Sequence, residues 1–345
     1  MLKKIISYIF KTIKQSSFVH RYLESPINLK AFTTIGVFTD SFGNSFEIRK
    51  GLRSYIKPGW EAMFSPKPSI PSNKYIQTCS KNGKLLAHKL QSYATRFGKP
   101  IHKAHILEIG CNTGAASYHL AQLGALKVTG TEFNGYKVES IQNTQTTQQA
   151  LEEVDANLHY MRSVLSQSFS QKDNVTFIND DICNSQLPHN SYDIICSFDV
   201  LEHLHNTAQA FKSMALLLKP GGLIIHDYNP FFALNGGHSL CTLDFEWGHA
   251  RLNNTDFETY ISMYRPNEYE QALAFYYKGL NRVTIHEMQS HIIDAGLTIE
   301  ACIPYTRPQH IHTITHSILS QVQTHYPKAT ALDLISPRVV IIARK

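Results

Sequence analysis

A glutamate closing an apolar run, two glycines and a pair of alanines stand together in Glu108-Ile109-Gly110-Cys111-Asn112-Thr113-Gly114-Ala115-Ala116. Residues of these types at this spacing bind a ligand rather than cleave one. Glycine lacks a Cβ, so the backbone at Gly110 and Gly114 can approach a bound molecule closely. A helix opening after the turn aims unpaired N–H groups and a partial positive charge at that molecule. Thr113 is placed to cap this helix, and Ala115 and Ala116 permit close helix–strand packing. The ligand implied is anionic at one end and lies across the turn. Two nucleotide motifs are excluded. A G-x-G-x-x-G fingerprint begun at Gly110 needs glycine at 112 and 115, where the chain has Asn112 and Ala115. A P-loop needs Gly-Lys-Ser/Thr at its end, and none follows. Taken alone, the turn also reads as an ordinary strand-to-helix connection.

The elements that would position these residues follow from apolar runs and breakers. Strand one ends at the turn, strand two runs over 125–132, strand three over 175–179 and strand four over 191–198. Pro220-Gly221-Gly222 turns the chain into strand five at Leu223-Ile224-Ile225-His226. Strands six (297–303) and seven (338–343) close the pattern. Helices are expected near 83–97, 206–218 and 284–295. Leu151, Val154, Leu158, Met161 and Leu165 give helical spacing inside the polar stretch 137–172. Residues 1–82 read as an N-terminal extension with a Pro/Ser-rich connector, and 83–345 as the main domain. An insertion at about 229–283 carries glycines, aromatics and His238 and His249, and is expected to roof an acceptor pocket as a lid. Its Phe245 and Trp247 read as core. In open α/β sheets ligands sit beyond the carboxyl ends of the strands, which is where this insertion starts.

The Glu108–Gly114 segment closely resembles motif I of class I S-adenosylmethionine (SAM)-dependent methyltransferases, with Asn112 where many members have a central glycine. Ser191-Tyr192-Asp193 leading to Asp199-Val200-Leu201-Glu202-His203-Leu204, and Leu218-Lys219-Pro220-Gly221-Gly222, match two further motifs of that family in the expected order. The fold this implies is α/β: a Rossmann-like, seven-stranded sheet with the last strand antiparallel, flanked by helices. SAM is the implied co-substrate. Its portions would be held by Glu108, Gly110, Cys111, Asn112 and Gly114 at the turn and by Glu132 on the ribose hydroxyls. Asp181 and Ile182 would meet the adenine, with Phe198 at the end of strand four.

A sulfonium methyl is already activated, so such an enzyme must align an acceptor and, for a hydroxyl, remove its proton. Histidine is suited to this near neutral pH. His203 on the strand-four exit is the first candidate base, followed by His238 and His226. Asp199, Glu202 and His203 form an array similar to one that some small-RNA and quinone-precursor O-methyltransferases use for a divalent ion. The same letters also occur in metal-free relatives, and no metal is expected here.

Composition fits this reading. The 345 residues are 43% hydrophobic and 17% charged, as in a globular chain with an ample core. The net charge of +6 is spread rather than gathered into a patch, so no nucleic-acid partner is expected. Six cysteines without paired spacing argue against a disulfide framework and for a reducing, cytoplasmic setting. Residues 1–14 alternate lysines with an apolar face. They read as a terminal helix docked on the domain, or as a weak peripheral contact with the inner face of an anionic membrane. Nothing in the sequence speaks to the oligomeric state. The expected activity is O-methylation of a small-molecule or glycan acceptor. The alternatives are a macromolecular (RNA or protein) methyltransferase, which would need a contiguous charged docking surface, and a non-catalytic SAM-binding or membrane-peripheral protein.

Overall fold

A computed structural model describes residues 25–63, 72–142, 145 and 147–345. The expected terminal helix at 1–14 lies outside them, as does most of the Pro/Ser-rich connector. Two strands, β1 (Thr34–Thr39) and β2 (Ser45–Arg49), form an antiparallel hairpin. Helix α1 (Asn73–Arg96) then leads into β3 (His105–Ile109), α2 (Ala115–Gln122) and β4 (Lys127–Glu132). Next come α3 (Gln148–Ser166), β5 (Val175–Asn179), β6 (Tyr192–Phe198), α4 (Thr207–Leu217) and β7 (Leu218–Tyr228). The chain closes through α5 (Ile285–Asp294), β8 (Thr298–Tyr305), α6 (His316–His325) and β9 (Arg338–Arg344).

Strands β3 to β9 make one sheet in the order β5-β4-β3-β6-β7-β9-β8. The pairs from β5 through β7 are parallel, and β9 is antiparallel to both β7 and β8. This is the seven-stranded class I methyltransferase sheet, its last strand inserted antiparallel. The order reverses between β3 and β6, so the turn after β3 and the exit from β6 open side by side. Ligands bind at such a switch point because two adjacent connections diverge there and leave a crevice.

Helix α1 begins at Asn73, capped by Ser72, whose hydroxyl accepts from the Tyr75 amide at 3.3 Å. Gly83, read from sequence as near its start, lies inside it. A Cβ there would come within 2.6 Å of the Ala115 carbonyl carbon, so this glycine lets α1 cross closely over the start of α2. The division expected at 82/83 therefore falls within a helix.

The insertion after β7 is a packed subdomain, and its residues also line the cavity at the carboxyl ends of the strands. Phe231, Phe232, Phe245, Trp247, Phe257 and Tyr276 are fully buried in a core shared with Phe38, Phe46 and Ile48 of the hairpin. Phe46 stacks on Phe245 at 4.7 Å and Phe257 on Tyr276 at 3.9 Å. Buried Arg53, upstream of α1, forms a two-pronged ion pair with Glu268 at 2.9 Å, tying the N-terminal segment to the insertion. Burying each such aromatic contributes about 1.5–3 kcal/mol to holding this unit together. Among the described residues no helix is long and apolar enough to cross a membrane.

Candidate active site

A cavity of about 1010 Å³ lies at the switch point, lined from the β3 turn, the end of β4, the β5 and β6 exits and the insertion. Gly110 (φ +66°), Asn112 (φ +47°) and Gly114 (φ +73°) are all left-handed, a conformation open to glycine and tolerated by asparagine. That explains how Asn112 replaces a glycine in this motif. The protein's own packing also demands these glycines. A Cβ on Gly110 would lie 2.5 Å from Val200, and one on Gly114 2.2 Å from the Phe177 ring. Thr113 does not cap α2: Gly114 is the cap residue and supplies no side-chain bond, so the first amides at Ala115 and Ala116 open toward the cavity uncapped.

Glu132 ends β4 at the cavity wall. Its Oε2 accepts the Asn112 amide at 2.6 Å and lies 3.7 Å from the Lys137 ammonium, which also donates to Asn112 Oδ1 at 3.1 Å. Among the described residues Oε1 has no hydrogen bond and is left for a ligand. Glu108 is buried and accepts the Ser117 hydroxyl, bracing α2 against β3. Burial pushes its carboxyl up to about 7. Cys111 donates its amide to the Thr131 carbonyl at 2.9 Å. Asp181 caps the short turn after β5 through the Cys183 amide at 2.9 Å, Ile182 is buried beside it, and both line the cavity with Phe198. The neighbouring Asp180 has a buried Oδ2 without a partner.

The opposite wall holds the histidines. His203 donates Nδ1–H to the Gly279 carbonyl at 2.6 Å, which fixes the tautomer and leaves Nε2 as the free lone pair. Its ring lies 5.0 Å from that of His238 and 5.3 Å from Tyr136. His238 Nε2 has no hydrogen bond and sits 4.0 Å from Glu202 Oε1. Glu202 is buried; its Oε1 accepts the Asn229 amide at 3.1 Å and its Oε2 has no partner. Burial pushes Glu202 up to about 8, with the Asp199 charge adding to the shift. The same cause brings His203 down to about 4 and His238 well below its ordinary value. Burial thus disfavours the charged form of all three. Asp199 (φ +55°) and His238 (φ +52°) join Asn112 as left-handed non-glycine residues on this cavity, the kind of held strain that gathers at functional sites.

Three sequence expectations change here. His226 is fully buried within β7, shares a 2.7 Å hydrogen bond with Ser197 and does not line this cavity, which sets it apart from an acceptor bound there. His249 donates to the Phe231 carbonyl at 2.7 Å inside the insertion core. Asp199 turns away from Glu202 and His203 to pair with Arg338 at 2.5 Å, so the expected Asp199-Glu202-His203 array does not form. His238 takes its place: ligand atoms of Glu202, His203 and His238 all lie within 4.8 Å of one another.

The family model for a methyltransferase domain matches residues 80–277. The chain belongs to that family. It is a SAM-dependent methyltransferase, as its turn and sheet imply. It is 23% identical to the ubiquinone biosynthesis O-methyltransferase of Parvibaculum lavamentivorans over 265 residues, 73% of this chain and 85% of that protein. Identity with the mitochondrial ubiquinone biosynthesis O-methyltransferase of Dictyostelium discoideum is 26% over 148 residues. Only 41% of that relative's length is spanned. Among solved structures, a SAM-dependent methyltransferase from Mesorhizobium loti aligns with 74% of this chain and 97% of its own, at a TM-score of 0.43 and 14% identity.

The methyltransferase's cavity suits SAM on its own features: uncapped amides at α2, a free Glu132 oxygen and an unpartnered Asp180 oxygen. Arg162 and Lys137 were not foreseen. Arg162 on α3 donates twice to the Asn112 carbonyl, at 3.1 and 2.8 Å, and lies 4.3 Å over the Phe177 ring, so it clamps the turn from below. It lies 50 residues from Asn112 within a polar helix, and no local pattern marks it.

Proposed function

We propose that this methyltransferase transfers the methyl group of SAM to a hydroxyl of a small-molecule or glycan acceptor, with His203 receiving the proton. The observation that carries this is His203 itself: a neutral imidazole, oriented by the Gly279 carbonyl, with Nε2 free on the cavity wall. SAM supplies a sulfonium methyl that needs no further activation. The chain's residues do the rest. Glu132 and the turn amides hold the cofactor's position, Tyr136 and Phe275 exclude water around His203, and Nε2 accepts the acceptor's proton. His238 and Glu202 lie beside the imidazolium so formed. The relatives named as O-methyltransferases support oxygen as the acceptor atom.

A second reading is favoured by the two buried polar atoms without partners, Glu202 Oε2 and His238 Nε2. Two imidazoles and one carboxylate are a donor set that suits a divalent cation, and Glu202, His203 and His238 would hold it. It would supply Lewis acidity at the acceptor oxygen. The deciding experiment incubates the protein and methyl-labelled SAM with glycan, lipid and RNA fractions of a cell extract, with and without chelator. Label in a small or glycan product as a methyl ether supports the proposal. Label confined to RNA or protein, or bound to nitrogen, overturns it.

A further inference from the structure

We propose that the acceptor carries an oxyanion, a carboxylate or a phosphate, held by Lys57 and Arg307 in a second cavity that opens on the other side of His203 and His238. This rests on the reading of His203 and His238 as the acceptor end of the site. The second cavity, of about 770 Å³, shares Asp199, His203 and His238 with the first. A molecule filling it would meet both the imidazoles and the cations.

Charge bookkeeping inside this cavity points to an anion. Four cations line it, Lys57, Lys89, Arg307 and Arg338, against one lining carboxylate, Asp199. Arg338 is taken up by Asp199 at 2.5 Å and by Asp227, just behind the wall, at 2.6 Å. Lys89 is paired with Asp227. These pairs leave two lining cations over. Lys57 and Arg307 make no ion pair or side-chain hydrogen bond among the described residues. Asp199 and Glu202 lie close enough to act on Lys57 through space, yet neither reaches ion-pair distance. Burial pulls the Lys57 ammonium below its ordinary value, the two carboxylates opposing the shift. A half-buried ammonium without a counter-ion is costly unless a ligand supplies one. Arg307 offers the planar fork that matches carboxylate and phosphate oxygens. The two come from distant segments, one preceding α1 and the other following β8. Only the folded chain brings them to one cavity beside the imidazoles.

The test is calorimetric titration of benzoate and of inorganic phosphate, with benzyl alcohol as the neutral control. The full chain is used, saturated with S-adenosylhomocysteine. At least one anion should bind more tightly than the alcohol. The Lys57→Gln/Arg307→Gln double variant should lose that affinity by about tenfold or more, as for loss of a charged hydrogen-bond partner. Lys57→Arg should keep it, which separates charge from a packing effect. Binding of benzoate alone assigns a carboxylate acceptor, and binding of phosphate alone a phosphorylated one. The proposal is overturned if neither anion binds better than benzyl alcohol, or if the folded double variant binds it as well as the wild type. Failure of S-adenosylhomocysteine to bind the wild type would instead sink the methyltransferase reading of the first cavity.

Discussion

Replacing Glu132 tests how the cofactor is held. Its Oε2 receives the Asn112 amide at 2.6 Å and faces Lys137 at 3.7 Å, while Oε1 is free to accept the ribose hydroxyls. Glu132→Gln keeps an oxygen for the Asn112 amide but removes the charge that strengthens the bonds to the ligand. A lost charge-assisted hydrogen bond at a largely desolvated site costs about 1.5–3 kcal/mol. That corresponds to a rise in the Kd for S-adenosylhomocysteine of roughly 10- to 150-fold. Glu132→Ala goes further, since it also orphans the Asn112 amide at a cost to stability of about 1–3 kcal/mol. Calorimetry should thus find both variants weak in binding, while melting finds only the alanine variant markedly less stable. A folded Glu132→Gln protein that binds S-adenosylhomocysteine within about threefold of wild type would refute the ribose assignment.

Three further outcomes are expected. His203→Ala should lower turnover by roughly 10²–10⁴-fold with S-adenosylhomocysteine affinity little changed, and His238→Ala should mainly raise the acceptor KM. Full turnover in both variants would leave alignment as the whole of catalysis, and loss of wild-type turnover on chelation, restored by a divalent ion, would favour the cation reading. Gly114→Ala forces a Cβ to within 2.2 Å of Phe177 at φ +73°, and urea denaturation should show about 2–5 kcal/mol of destabilisation; a variant as stable as wild type contradicts the packing described. The melting temperature should peak near neutral pH. His203, His226 and His249, held to about 4, 3 and 4 by burial, contribute stability that is complete above their unfolded value and lost as pH falls toward 4. Glu108 and Glu202, raised to about 7 and 8, contribute stability that is lost as pH rises through those values. A melting temperature that climbs steadily to alkaline pH would count against these burial effects.

The strands were legible in the sequence because each combines an apolar run with a breaker, and six of the observed seven fall within two residues of those expected; β7 starts at Leu218 and takes in Pro220-Gly221-Gly222, which read as the turn before it. The glycines misled where they stood apart from a strand end. Gly83 looked like a helix boundary and is a crossing point. Gly236, Gly237 and Gly248 belong to the stretch expected to form a lid, and Cβ atoms there would strike Phe231, Cys241 and Leu243 at 2.1, 2.6 and 2.8 Å. They are contact glycines within a packed subdomain. His203 and His238 were legible as site residues, but not their meeting with buried Glu202, which depends on the left-handed turns at Asp199 and His238. Arg162, Lys57, Arg307 and Arg338 act across separations at which a single sequence carries no signal.

The most direct measurement is a crystal structure with S-adenosylhomocysteine. The ribose hydroxyls are expected on Glu132, the adenine edge beside Asp181 and Ile182, and the sulfur directed toward His203. A ligand bound outside the cavity, or reversed so that the adenine meets His203, would contradict the placement of cofactor and acceptor on which the proposed chemistry depends.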